Sequence, residues 1–288
     1  MQYFEERDGK LIFRYNGETV QVEAWGQDSL RVRSRVLGEI SEECSALTEE
    51  VAVHDAVISI QGEDSAEITN GRIKAVLYRQ GWGNALQITF YNEKGEVLLR
   101  EIPNGGALCL KARYFRSLAG GSFYLKASFQ SNDKEKLYGM GQYQQERMNL
   151  KGCNLELAHR NSQASVPFYV SSLGYGFLWN NPSVGEVHFG TNTTEWEAWS
   201  TDQLDYWITA GERPGDIEKN YTEVTGKSPM MPEYGLGFWQ CKLRYYNEQQ
   251  VLDIASEYKK RNIPVDVIVI DYYHCLLYTS PSPRDRTR

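Results

Sequence analysis

The sequence has no long hydrophobic run. Nothing in it approaches the roughly 20 consecutive apolar residues of a membrane-spanning helix, so no membrane role is expected. It also has little that would staple or metallate a fold. Five cysteines, Cys44, Cys109, Cys153, Cys241 and Cys275, are scattered without CxxC or Cys/His spacing. A disulfide framework, a zinc site and a bound cofactor are therefore without support. Positive charge is not in excess either: the formal net charge is −7 over 288 residues, which argues against nucleic acid as the main partner. Met1–Lys10 (MQYFEERDGK) lacks the basic and apolar regions of a secretory signal, so the expected setting is cytoplasmic and reducing.

What is abundant is aromatic. The chain is 41% hydrophobic and 12% aromatic, with 19 Tyr and 7 Trp, enough for a packed core and against general disorder. Aromatic faces serve sugar sites and β-sandwich cores alike, and composition does not separate the two.

From the start to about Ser228 the pattern is β throughout. LIFRY, TVQVEAW, LRVRSRV, RIKAVLY, LQITFYN and EVLLREI recur at short intervals, many alternating apolar with polar residues. Turn chemistry separates them at Asn16-Gly17, Asn70-Gly71, Asn92–Gly95 and Asn104-Gly105-Gly106. Many strands without an intervening helix predict a large antiparallel sandwich. Between Gln142 and Gln163 the chain turns polar, and this stretch reads as a long ordered loop of the functional kind. VPFYVSSLGYGFLWNN then predicts two strands about a turn at Gly174, and Glu212–Lys227 a short helix leading to a linker at Ser228–Pro232. His54 and His188 fall within β patterns and read as structural. Glu146, Glu156 and Asp202 are carboxylates that nothing brings together.

A different unit follows. In Gly235–Asp271, Asn247 suits a helix N-cap and Gln250 completes a capping box. Val251, Ile254, Ala255 and Tyr258 have amphipathic helical spacing. Lys259, Lys260 and Arg261 suit the helix C-terminus, Asn262 the left-handed position after it, and Pro264 ends it. Val265–Ile270 (VDVIVI) then predicts a buried parallel strand with Asp271 at its end, where α/β barrels collect functional groups. The last fourteen residues, Cys275–Arg288, abandon this periodicity and read as a translated sequencing adapter rather than native protein.

The sandwich pattern together with PEYGLGFWQCKLRYYNEQQ and IPVDVIVIDYYH resembles glycoside hydrolase family 31, over roughly residues 1–274. The resemblance implies a mainly β fold: a mutarotase-like antiparallel β-sandwich over 1–228, then over 229–274 the first βαβ unit of an incomplete (β/α)8 catalytic barrel, before the tail at 275–288. It implies the N-terminal portion of a retaining α-glycosidase acting on terminal α-linked xylose or glucose. The expected partner is an oligosaccharide, with room for a homo-oligomer in the full-length protein. Asp271 matches the family's acidic residue that binds sugar hydroxyls, against the plainer reading of a strand-end cap. Trp239 and Lys242 lie in the segment matching the end of barrel strand 1, and each is equally a core or ion-pairing residue. Asn161 matches a sandwich loop that reaches over the barrel mouth, where the family often has Asp; His159 and Arg160 flank it. Retaining hydrolysis needs two carboxyl groups about 5–5.5 Å apart. In the family both are Asp on later barrel strands, so no catalytic residue is expected here and Asp271 is not promoted to nucleophile. The competing readings are a stand-alone carbohydrate-binding sandwich and a related α-glucan lyase or transglycosylase.

Overall fold

The computed structural model describes residues 3–48, 51, 56–80, 85–103 and 110–271. His54, Cys109, the Asn104–Gly106 turn and the tail from Cys275 lie outside the described residues. In chain order the strands are β1 Phe4–Arg7, β2 Lys10–Tyr15, β3 Glu18–Ala24, β4 Ser29–Val36, β5 Val57–Gln61, β6 Ser65–Asn70 and β7 Ile73–Gln80. They continue as β8 Ala85–Asn92, β9 Val97–Arg100, β10 Arg113–Ser117, β11 Phe123–Gln130, β12 Leu137–Gln142, β13 Asn154–Leu157 and β14 Ala164–Ser171. After β15 Tyr175–Trp179, β16 Gly185–Phe189, β17 Thr193–Thr201 and β18 Leu204–Ala210 come helix α1 Pro214–Thr225, β19 Trp239–Lys242, helix α2 Glu248–Lys260 and β20 Val267–Ile270.

The first eighteen strands build three antiparallel sheets. One has eight strands in the order β1-β2-β3-β4-β18-β15-β14-β12; the others have five each, β10-β11-β17-β16-β13 and β5-β6-β7-β8-β9. The predicted alternation sets the faces. In β16, Gly185, Val187 and Phe189 point inward while Glu186 and His188 point out. All three sheets contribute to one buried cluster, from Phe13 and Val32 through Ile88 and Phe90 to Phe177 and Trp196. The chain is thus a β-sandwich up to this point. Its hairpins are written locally: Asn16 (φ 50) and Gly17 (φ 79) give the two left-handed residues that a tight β2–β3 turn needs. β12 is bulged at Gly139–Gly141, and a Cβ on Gly141 (φ +87) would stand 2.3 Å from the Ala164 carbonyl oxygen.

The stretch from Gln142 to Gln163 departs from its reading as a long loop. It contains β13, paired with β16, and buries Leu150, Cys153, Leu155 and Leu157. Its Gly, Asn and Gln content hides four apolar anchors whose partners lie in distant strands.

Three arginines are buried inside the sandwich with carboxylates in reach. Arg113 bridges Glu101 and Glu18, with Nε 2.7 Å from Glu18 Oε1. Burial alone would lower the Arg113 pKa; the Glu101 and Glu18 charges reverse this and hold it up. Arg31 pairs with Asp205 at 2.6 Å and donates to the Glu43 carbonyl, also at 2.6 Å. Arg33 pairs with Glu23 and donates to the Ser41 carbonyl at 2.7 Å. Together these two guanidiniums hold down the irregular strap between Leu37 and Thr48. Helix α1 covers the outside of the large sheet through Ile217 and Val224, with Tyr221 stacked on Phe168 at 3.9 Å between ring centroids.

The described chain divides into two compact units, the first closing at Lys227 and the second opening at Ser228. In the second, β19 and β20 pair in parallel, Lys242 opposite Ile270, with α2 as the crossover. The helix ends are those its sequence prescribes. Asn247 Oδ1 accepts the Gln250 N–H at 3.0 Å, while the Gln250 side chain reaches one residue further back than a capping box requires, to the Tyr246 N–H. Asn262 is left-handed (φ 54), and Ile263 and Asn262 donate to the Tyr258 and Lys259 carbonyls in a Schellman closure. The strand expected over Val265–Ile270 begins at Val267; just before it, Asp266 holds Phe238 with both backbone and side chain, its carboxylate accepting the Phe238 N–H at 3.0 Å.

Candidate functional site

The parallel pair decides which candidates share an end. Lys242 closes β19, its register partner Ile270 closes β20, and Asp271 is the next residue. Asp271 is half-buried, and one of its carboxylate oxygens lies 3.5 Å from the Cys241 thiol. Desolvation, and after it the hydrogen bond to and charge of Asp271, push the Cys241 thiol pKa up, which keeps it protonated as a donor. Lys242 is exposed, with its ammonium 5.7 Å from the Tyr245 ring centre. The α2 N-terminus, capped by Asn247, follows β19 on the same side. Trp239 is placed elsewhere. It opens β19 rather than ending it, three residues from Lys242 and so about 10 Å from that end at ~3.3 Å per residue. Its indole is half exposed and donates to the Gly235 carbonyl at 3.2 Å. The chemistry this end can perform is positioning: acceptor oxygens on Asp271 for vicinal hydroxyl protons, and a donor on Lys242.

Asn161 belongs to the first unit. It is exposed at the tip of a two-residue turn in which Arg160 and Gln163 exchange backbone hydrogen bonds of 3.3 and 3.0 Å, with Ser162 left-handed at φ 64. The turn carries the chain from β13 in one sheet to β14 in another. Arg160 is anchored to Glu156 and His159 Nδ1 accepts the Ser165 N–H at 3.3 Å, so both residues flanking the tip stiffen it. Beneath the turn lies a hollow of about 620 Å³ between Ala158–Arg160, the loop Asn180–Val184 and the strap residues Ser45 and Ala46. Of its walls only His159 and Arg160 stand out in the sequence, as neighbours of Asn161. Asn180 and Asn181 read only as the close of the two-strand stretch about Gly174, and residues 46, 158 and 180 become neighbours through the fold alone. Among the described residues no group of three or more His, Cys, Asp or Glu is placed to hold a metal ion. No described helix is long and apolar enough to cross a membrane.

The chain is a many-stranded antiparallel sandwich followed by a parallel strand–helix–strand unit with a carboxylate at its end, and family comparisons identify both parts. Residues 19–187 match the glycosyl hydrolase 31 N-terminal galactose mutarotase-like domain, and residues 228–282 match the family 31 TIM-barrel domain. The chain belongs to glycoside hydrolase family 31. It is 42% identical to an uncharacterized family 31 glucosidase of Pseudescherichia vulneris over 286 residues, which are 93% of this chain and 53% of that protein. It is 32% identical to alpha-xylosidase A of Aspergillus niger, covering 94% of this chain and 39% of the relative. Among solved structures it is similar to a family 31 alpha-xylosidase from a soil metagenome complexed with xylose. The TM-score is 0.86 and the identity 45%, over 95% of this chain and 42% of that one. The chain therefore spans about half, or less, of the length of the relatives it matches.

Proposed function

We propose that this chain belongs to a retaining α-glycosidase that removes terminal α-linked xylose or glucose from oligosaccharides. In it the residues described here position the sugar rather than break the bond. The observation that carries this reading is the shared end of β19 and β20, where Asp271 stands half-buried beside the Cys241 thiol. The names of the xylosidase relatives and the xylose-bound structure favour xylose. Asp271 accepts hydroxyl protons, and Lys242, from the same end of the strand pair, offers a donor to a hydroxyl oxygen. Trp239 is given no part at this end. Asp266 does not supply a second carboxylate there, since it precedes the same strand and lies on the order of 16 Å from Asp271.

The test is titration of the 288-residue chain with D-xylose, followed by the backbone amide resonances of Cys241 and Lys242. These will shift saturably, and Asp271→Asn will abolish the shift; an unchanged titration in that variant overturns the assignment. The same chain will not hydrolyse p-nitrophenyl α-xyloside, and measured turnover would show that the bond-breaking carboxylates are already here.

A further inference from the structure

The register of the parallel pair decides which side chain of β19 stands beside Asp271. Cys241 lies opposite Val269, and Lys242 opposite Ile270. Side chains alternate between the two faces of a strand, so Cys241 and Val269 share one face and Lys242 and Ile270 the other. Asp271 follows Val269 by two and returns to the face of Cys241. The distance bears this out, with Cys241 Sγ 3.5 Å from Asp271 Oδ2.

A carboxylate with nothing to hold it is a poor pointer. The terminal torsion of an Asp side chain is broad, so its oxygens take many directions unless one of them is bonded. At this end of the strands the matter is acute, because Asp271 is only half-buried and Cys241 is exposed. A thiol is a weak donor, and it donates only while it keeps its proton. Desolvation, and after it Asp271 itself, push the Cys241 pKa up, so the S–H persists at neutral pH. The bond then runs one way, from the thiol to Oδ2, and orients the carboxylate before any ligand arrives. Orientation in advance lowers the ordering cost of binding.

We propose that Cys241 is the positioning residue for Asp271, its thiol holding one carboxylate oxygen so that the group meets sugar hydroxyls in a single orientation. The contact is argued from the strand register and the distance between the two side chains. Its use in sugar binding rests on the glycosidase reading above.

Two substitutions separate donation from packing. Cys241→Val keeps the bulk of the side chain and suits a strand but has no donor, whereas Cys241→Ser keeps a donor. Both are titrated as the full 288-residue chain with D-xylose, followed at the Lys242 amide. Cys241→Val will weaken binding about three- to tenfold, the worth of one hydrogen bond, and Cys241→Ser will stay within about twofold of the native chain. Native binding by the Val variant, or weaker binding by Ser than by Val, overturns the proposal, since a packing role favours Val. A second measurement needs no sugar. Iodoacetamide reacts with the thiolate, so the pH dependence of Cys241 alkylation, read from the mass of its peptide, reports on the thiol beside Asp271. Asp271→Asn will move that profile to lower pH. An unmoved profile beside an intact xylose response overturns this inference and leaves the earlier reading standing. A shifted profile in a native chain that ignores xylose overturns the earlier reading, and the sugar role of Cys241 with it.

Discussion

The two units draw on the same kinds of side chain and bury them to opposite degrees. In the sandwich, Trp196 and Trp207 are fully enclosed, and even the guanidiniums of Arg31 and Arg33 are sealed from solvent. In the second unit Phe238, Trp239 and Ile270 are about half exposed, Leu236 is 77% exposed, and neither α2 nor β19 contains a buried residue. The difference is one of layers. Three sheets enclose a common interior, whereas a parallel strand pair has two faces to cover and a single crossover helix to cover them with. The apolar run VIVI is a parallel strand as its pattern predicts, but the burial expected of it is not realised by the residues around it.

The sharpest way to break this comparison is to remove one charge from an ion pair in each unit. Arg113→Met leaves Glu101 buried without its partner and will destabilise the sandwich by about 3–5 kcal/mol in urea unfolding. Arg261→Met, which leaves the exposed Glu257 with Lys260 alone, will change stability by about 0–1 kcal/mol. Comparable losses would mean that the second unit is as enclosed as the first. An intermediate effect is expected from Asn247→Ala, which deletes the α2 cap and will destabilise that helix by about 1 kcal/mol. Amide hydrogen exchange will show the change over Glu248–Lys260 and not in the sandwich.

The smallest effect concerns the strap. Burial pushes the Glu42 carboxyl up, but the Arg33 charge and the contacts with Lys10 and Arg33 outweigh it and hold its pKa below the ordinary 4.5. A carboxylate with a depressed pKa stabilises the fold above its unfolded value, and that contribution is lost as pH falls through the folded value. Glu42→Gln will therefore flatten the acid loss of stability below pH 4.5, with little change near neutrality. An unchanged slope in acid-unfolding curves would remove Glu42 from the strap's support.

What was legible in the sequence follows the distance over which each feature is decided. The caps of α2, the Asn16-Gly17 turn and the boundary near Ser228 depend on residues within a few positions, and the sequence carries them openly. The strand β13 was hidden because Leu150, Cys153, Leu155 and Leu157 are spaced among polar residues and find their partners in other strands. Trp239 was legible as part of a strand, yet which end of the strand it occupies depends on pairing with Val267. Asp271 was visible because it ends a strongly patterned run. The hollow beneath the Ala158–Arg160 turn was not, since its walls come from stretches far apart in the sequence.

The pairing of β4 with β18 also sets a timetable for synthesis. Residues 29–36 at the centre of the eight-stranded sheet lie against 204–210, so the β1–β4 meander is complete long before its neighbour has been made. At roughly 5–20 residues per second, that edge waits on the order of 10–30 s on the ribosome. Arg33 on the waiting strand already has Glu23 of β3 beside it, but Arg31 has no Asp205 until β18 is made, and until then it keeps a future interior strand charged. Charge on an open edge is how sheet proteins discourage pairing with the wrong chain. Arg31, which ends up sealed within the sandwich, is in this sense a guard of the nascent chain before it becomes part of its core.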